Sequence, residues 1–151
     1  MQTISASHIA STDLRPSVDP RESAFPSKGW RWTGRVLSGL SALFLFVDGA
    51  MKVARADVVM KGSAELGYPL HSIFGIGAVL LVCTLLYVLP RTAVLGAVLL
   101  TGYLGGAIAT HVRVDNPLFS HTLFPIYVAA LVWGGLYLRD ARVRALLRPE
   151  A

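Results

Sequence analysis

The sequence is poor in cysteine and in charge. Cys83 is the one cysteine among 151 residues, so no disulfide can form within the chain. Charged residues make up 15% of the chain, whereas about 25% is usual for a soluble domain. Hydrophobic residues reach 54% and the mean hydropathy is +0.56. The balance is not that of a water-soluble domain, and it indicates a chain that needs lipid around it.

Several motifs that would carry chemistry are also missing. There is no glycine-rich phosphate loop, no pair of catalytic carboxylates and no Ser/His/Asp set. His111 and His121 are separated by a loop, and no HxxxH or CxxC pair accompanies them, so no metal site is expected. The net charge of +5 forms no basic stripe interleaved with aromatics, which excludes a nucleic-acid partner. Cys83 falls within an apolar run, where an inert packing thiol is expected.

Four long apolar runs dominate what is present. Each approaches the roughly 20 residues that a helix needs to cross a bilayer, and Pro69, Pro90 and Pro117 stand at their borders, as helix stops and starts do. The prediction is an all-α membrane protein, a four-transmembrane-helix antiparallel bundle. Its parts are a disordered tail (1–28), a membrane domain (29–147) with helices at about 33–52, 70–89, 92–111 and 120–138, and a C-terminal tail (148–151).

The cations predict the orientation of this bundle. Eight lie near one set of helix ends and four near the other. The larger set is Lys28, Arg31, Arg35, Arg91, Arg139, Arg142, Arg144 and Arg148, and the smaller is Lys52, Arg55, Lys61 and Arg113. The positive-inside rule then places both termini in the cytoplasm.

Small residues recur where helices are expected to touch. Helix association in lipid depends on close backbone approach through such residues. The predicted packing positions are Ala97, Thr101, Gly102, Gly105 and Gly106 on the third helix and Gly134 and Gly135 on the fourth. A substrate slot is the less favoured alternative for the glycines.

Polar residues gather at the ends of the helices that are predicted to lie outside the cell. The candidate rim site comprises Asp48, Lys52, His111, Arg113, Asp115 and His121. Asp48 and Lys52 have the i, i+4 spacing of an ion pair, and Arg113 is an alternative partner for the carboxylate. Imidazole as a class of side chain titrates near neutrality, so proton handling is one hypothesis for the two histidines. The site is either functional or a structural cluster at the end of the bundle. Phe119, Phe124, Tyr127 and Trp133 are either apolar packing or the wall of a quinone or lipid pocket.

Two stretches resemble DoxX-like membrane proteins. FLFVDGAMKV (44–53) is similar to their first-helix signature, and TGYLGGAIATHVRVDNPLFSHTLFPIYVAALVWGGLYLRDARVRALL (101–147) to their second half, most specifically in GGAIATH and LVWGGLYLRD. The resemblance covers about Val36 to Leu147. It implies a four-helix, multi-pass protein of the bacterial inner membrane, with some relatives linked to sulfur or thiol redox chemistry and quinones.

Three functions follow as hypotheses. The first is a subunit or scaffold of a membrane complex without autonomous catalysis. The alternative is a quinone-binding subunit of a sulfur or thiol redox system, with its polar site at the rim and quinone as its one cofactor. Carriage of a small solute is less favoured, because no span is broken at mid-membrane. The expected partners are the lipid bilayer, a membrane or peripheral redox protein, or a second copy of the chain.

Overall fold

A computed structural model describes residues 28–147, and every regular element in that range is a helix. The predicted tails at residues 1–28 and 148–151 lie outside it, apart from Lys28, the first residue of the first helix. The helices are α1 (Lys28–Val53), α2 (Asp57–Glu65), α3 (Ser72–Val88), α4 (Ala93–Arg113), a π-helical turn (Leu118–Thr122), α5 (Phe124–Arg139) and α6 (Ala141–Leu147).

The helix boundaries follow from a few local constraints. Leu89 is extended, because the ring of Pro90 disfavours the helical conformation in the residue before it, and α3 ends there. Gly67, with φ 75°, turns the chain between α2 and α3, in the left-handed region that glycine enters without strain. Arg55 and Asp115 also have positive φ, at 53° and 54°, in the turns after α1 and α4.

Four of the helices pack side by side. Helix α1 contacts α3 and α5, and α4 contacts the same two helices. Neighbours run antiparallel: near one end Gly34 approaches Leu138, and near the other Gly77 approaches Lys52. The short α2 lies outside this bundle, in the connection between α1 and α3. It was not predicted, because DVVMKGSAE lacks the long apolar run that predicts each of the four helices of the bundle.

The long helices suit a membrane to different degrees. Gly29–Val53, Ala93–Arg113 and Leu118–Arg139 are long and apolar enough to cross one. Helix α3 is as apolar but has only 17 residues, a length of about 26 Å. Its outer surface fits lipid as well, since Val79, Val82 and Leu85 are more than half exposed. The chain is therefore an all-α membrane protein.

Tyr87 joins three helices in the core. Its side chain is fully buried, and its hydroxyl lies 2.9 Å from both Ser38 Oγ on α1 and the Val132 carbonyl oxygen on α5. Arg139 adds a third tie, because its guanidinium donates to the Tyr87 carbonyl and lies 4.9 Å from the ring centroid. Cys83 is buried in the same core.

Helix backbones approach each other closely at Gly135, which was predicted as a packing position, and at Gly96, which was not. A Cβ at Gly96 would lie 2.5 Å from Tyr87 Cα, and one at Gly135 would lie 2.8 Å from Ser38 N. Ala97 is also fully buried, and Thr101 accepts a hydrogen bond from the Trp133 indole. By contrast, a Cβ at four predicted packing positions would meet no atom of residues 28–147 within 4 Å, so no neighbouring helix packs closely where that Cβ would project; they are Gly102, Gly105, Gly106 and Gly134.

This difference has a geometric cause. The contact face of α4 is centred on Ala93, Ala97, Leu100 and Leu104, all of them buried. Gly102 and Gly106 lie about half a turn from that face, given 100° per residue. The i, i+4 spacing of small residues does not reveal which side of a helix meets a neighbour.

Candidate functional site

A cavity of about 550 Å³ lies within the bundle at its α2 end. This size falls within the range of about 300–1,000 Å³ that small-molecule sites occupy. Residues from α1, α3, α4 and α5 line its sides, and Ser63, Leu66 and Tyr68 line it from α2 and the loop that follows. The site is thus built where four helices and one covering segment converge.

An ion pair forms one wall of the cavity. Lys52 Nζ donates a hydrogen bond to Asp48 Oδ1 at 2.5 Å, and both residues line the cavity. The exposed fraction of the side chain is 17% for Lys52 and 34% for Asp48. The spacing predicted this partner, and pairing offsets the cost of placing a carboxylate beside apolar residues. Because an ammonium group has three N–H donors, Lys52 keeps donors for a second acceptor.

His111 provides a neutral donor on another wall. The Asn116 side-chain amide lies 2.9 Å from His111 Nδ1. An amide nitrogen can only donate, so Nδ1 accepts, and the neutral ring carries its proton on Nε2. His111 lines the cavity, whereas His121 is exposed and does not. The two rings meet edge-on, with their centroids 5.9 Å apart.

Arg113 and Asp115 have structural contacts instead of a place in the cavity lining. The Arg113 guanidinium donates to the Leu66 carbonyl oxygen, which ties the end of α4 to the loop after α2. Asp115 is exposed in the turn after α4, with the left-handed backbone that Asp tolerates better than most residues. Of the six predicted rim residues, three line the cavity and three surround its α2 end.

A hydrogen bond closes the cavity on the α2 side. Tyr68 Oη lies 2.6 Å from Thr110 Oγ1, which itself donates to the Gly106 carbonyl. The hydroxyl proton of Thr110 is therefore engaged, and Tyr68 is the donor. Together with the Arg113 bond to Leu66, this contact fixes the loop over the helix ends.

The rest of the lining is mostly apolar. Phe44 and Phe124 pack edge-to-face, with centroids 5.5 Å apart, at the contact of α1 with α5. Of the four aromatics weighed as a pocket wall, Phe124 lines the cavity; Phe119, Tyr127 and Trp133 do not. The arrangement is a small, mostly apolar chamber with an ion pair and an imidazole on its lining, and with hydroxyl groups at Ser63, Tyr68, Tyr103 and Thr110.

Several lining residues carry hydroxyl groups that were not predicted to belong to the site, among them Tyr68, Tyr103 and Thr110. Tyr103 carries a detectable signal, because it is a lone hydroxyl-bearing aromatic in an otherwise apolar span. Tyr68 carries none, since it stands in a loop and meets Thr110 across 42 positions. Only the packing of α3 beside α4 brings these two together.

The geometry defines a class of protein, a helical membrane protein with a cavity inside its bundle. Comparison with family models identifies the family: the model of the DoxX-like family matches residues 36–135, about two thirds of the chain. The chain belongs to the DoxX-like family. No curated protein and no solved structure matched it.

Proposed function

We propose that this DoxX-like protein is a membrane-embedded binding subunit for a small, mostly apolar molecule with a carbonyl-bearing head group, with a quinone as its ligand. The single observation that carries the proposal is the cavity of about 550 Å³ with Lys52, Asp48 and His111 on its lining. An apolar chamber with few convergent polar groups is the usual form of a small-molecule site.

The donor set fits a quinone head group. A quinone ring is apolar and offers two carbonyl oxygens, both acceptors. Lys52 and the Nε2–H of His111 are donors on the cavity lining, and Phe44 and Phe124 provide aromatic surface for the ring. Bound quinone would supply two-electron redox chemistry, and the chain's own residues would hold and orient its carbonyl groups.

The proposed role as a subunit follows from the need of a quinone site for an electron donor. Electrons have to come from a donor, and within residues 28–147 no redox cysteine pair is present, since Cys83 is alone and buried. The protein therefore acts with a membrane or peripheral redox partner and without catalysis of its own. Gly105 is exposed and Gly134 is half-buried, and a Cβ at either would meet no atom within 4 Å, which leaves open helix surface for such a partner, or for a second copy of the chain.

The proposed topology has four crossings, with both termini in the cytoplasm of a bacterial cell. Between residues 29 and 147, the end of the bundle with Arg91 carries six Arg or Lys residues and one carboxylate, whereas the α2 end carries four and four. The positive-inside rule supports a cytoplasmic Arg91 end. Trp30 and Trp32, exposed by 50% and 64%, lie at that end, where aromatic residues meet lipid head groups. The cavity then opens towards the outer leaflet.

Matched alanine-to-phenylalanine substitutions on α4 test the binding proposal. Ala107 lines the cavity; Ala109, two positions away, is exposed and does not. In lipid nanodiscs, Ala107→Phe should weaken the binding of decyl benzoquinone about tenfold or more, because its ring fills the chamber. Ala109→Phe should leave the Kd unchanged.

The donors can be tested in the same assay. His111→Ala should weaken binding roughly three- to tenfold, in line with the loss of one hydrogen bond. Lys61→Ala, at an exposed lysine outside the lining, is the control. Equal Kd values for wild type and both cavity variants would refute the binding function.

A further inference from the structure

The cavity is covered by a hydrogen-bonded segment on its α2 side and bordered by two glycines on α4. Towards α2 it is covered by a segment that two hydrogen bonds hold, Tyr68 to Thr110 and Arg113 to the Leu66 carbonyl. On α4 it is bordered by Gly102 and Gly106, which line the cavity and are also exposed on the outside of the bundle. A Cβ at either glycine would meet no atom within 4 Å. At these two positions the lining is helix backbone without a side chain, and the space where a Cβ would project is open.

A second recess lies on the same side of the molecule. It has a volume of about 440 Å³ and lies between α3 and α4, lined by Ser72, Gly75, Ile76, Val79 and Tyr103. Ile76 and Tyr103 also line the main cavity, so the two spaces share these side chains as a partition. Val79 is 55% exposed on the apolar surface of α3, where the bundle faces lipid.

We propose that the cavity opens sideways to the bilayer between α3 and α4, and that its ligand has an apolar tail that leaves the cavity past Gly102 and Gly106 and lies beside Tyr103 towards the outer recess. This inference rests on the proposed binding function and names the class of ligand, an amphipathic molecule taken from the lipid phase. The head group reaches the ion pair and His111, while the tail stays in contact with lipid.

A sideways opening would explain why glycine, rather than a larger residue, stands at positions 102 and 106. Glycine weakens the interior of a helix relative to alanine, and no close helix contact within the described residues compensates for it at Gly102 or Gly106. Any side chain at these positions would project beside the opening. The sideways route also needs less rearrangement, because it requires rotation of Tyr103 and Ile76 side chains, whereas a route from water must break the bonds of Tyr68 and Arg113.

Three leucine substitutions on one helix separate the opening from the rest of α4. Gly102→Leu and Gly106→Leu place a branched side chain at the opening. Gly105→Leu is the matched control, because Gly105 is exposed, also has open space around it, and lines neither recess. Each purified variant in nanodiscs is titrated with decyl benzoquinone and with the same head group lacking a tail.

The expected result is a selective loss. Both opening variants should bind the decyl compound about tenfold more weakly and the tailless compound within about twofold of wild type, and Gly105→Leu should change neither. Tyr103→Ala should in addition speed association of the decyl compound. Equal effects on both compounds, no effect on either, or the same loss in Gly105→Leu would overturn the sideways opening while leaving a binding cavity. A wild type that binds neither compound would overturn the proposed function and the opening together.

Discussion

Adding one methyl group to α4 should have opposite consequences on its two sides. At Gly96 the new Cβ would lie 2.5 Å from Tyr87 Cα and 2.7 Å from the Leu86 carbonyl carbon. Carbon atoms prefer a separation of about 3.5–4.0 Å, so α3 and α4 would have to move apart by about 1 Å. Both obstructing atoms belong to the backbone of a helix, and no side-chain rotation relieves them. At Gly105 the same methyl group meets nothing within 4 Å.

The free energies can be estimated from these distances. Overpacking of this kind costs about 1–3 kcal/mol, and the fixed backbone of α3 places Gly96→Ala near the upper value. Alanine is favoured over glycine within a helix by about 1 kcal/mol, which applies to both sites. Gly96→Ala should therefore be destabilised by about 2 kcal/mol, whereas Gly105→Ala should match or exceed wild type.

Reversible unfolding in mixed detergent micelles, followed by circular dichroism, measures both free energies of unfolding on one scale. Similar size-exclusion profiles before unfolding are the control for intact starting material. The packing of α3 on α4 is refuted if Gly96→Ala is as stable as wild type, or if Gly105→Ala is weakened to the same extent.

Two further predictions concern the core tyrosine and the topology. Tyr87→Phe removes the hydroxyl that joins α1, α3 and α5, and it should lower the free energy of unfolding by about 1 kcal/mol. Tyr127→Phe, at a ring that is 48% exposed, should leave that free energy unchanged. Equal free energies of unfolding for the two variants would contradict the bridging role of Tyr87. In a Cys83→Ala background, a membrane-impermeant maleimide added to intact cells should label Asp115→Cys and spare Arg91→Cys, because the two positions lie at opposite ends of the bundle; labelling of both or of Arg91→Cys alone would contradict the proposed orientation.

The sequence predicts those parts of the structure that depend on local pattern. Apolar runs bounded by prolines identify the long helices, and the i, i+4 spacing of Asp48 and Lys52 predicts their ion pair. Small residues were a poorer guide. Backbones approach closely at the predicted Gly135 and at Gly96, which was not predicted, whereas Gly102 and Gly106 lie beside a cavity.

The cavity itself could not be predicted, because it is defined by where side chains are missing between four helices. Its cover depends on Tyr68 reaching Thr110 and on Arg113 reaching Leu66, both long-range contacts that no local pattern encodes. Polar residues of the connection between α4 and α5 consequently have different roles. His111 lines the cavity, whereas Asp115 lies in a turn with a left-handed backbone.

Photoaffinity mapping tests most directly whether the bundle binds a quinone in its cavity. An azido benzoquinone is irradiated with the protein in nanodiscs, with and without excess decyl benzoquinone, and the labelled peptides are sequenced by mass spectrometry. The account predicts adducts on cavity residues such as Tyr103, His111 and Phe124 that excess decyl compound suppresses. Adducts confined to lipid-facing residues such as Leu99 and Leu131, unaffected by the competitor, would contradict it.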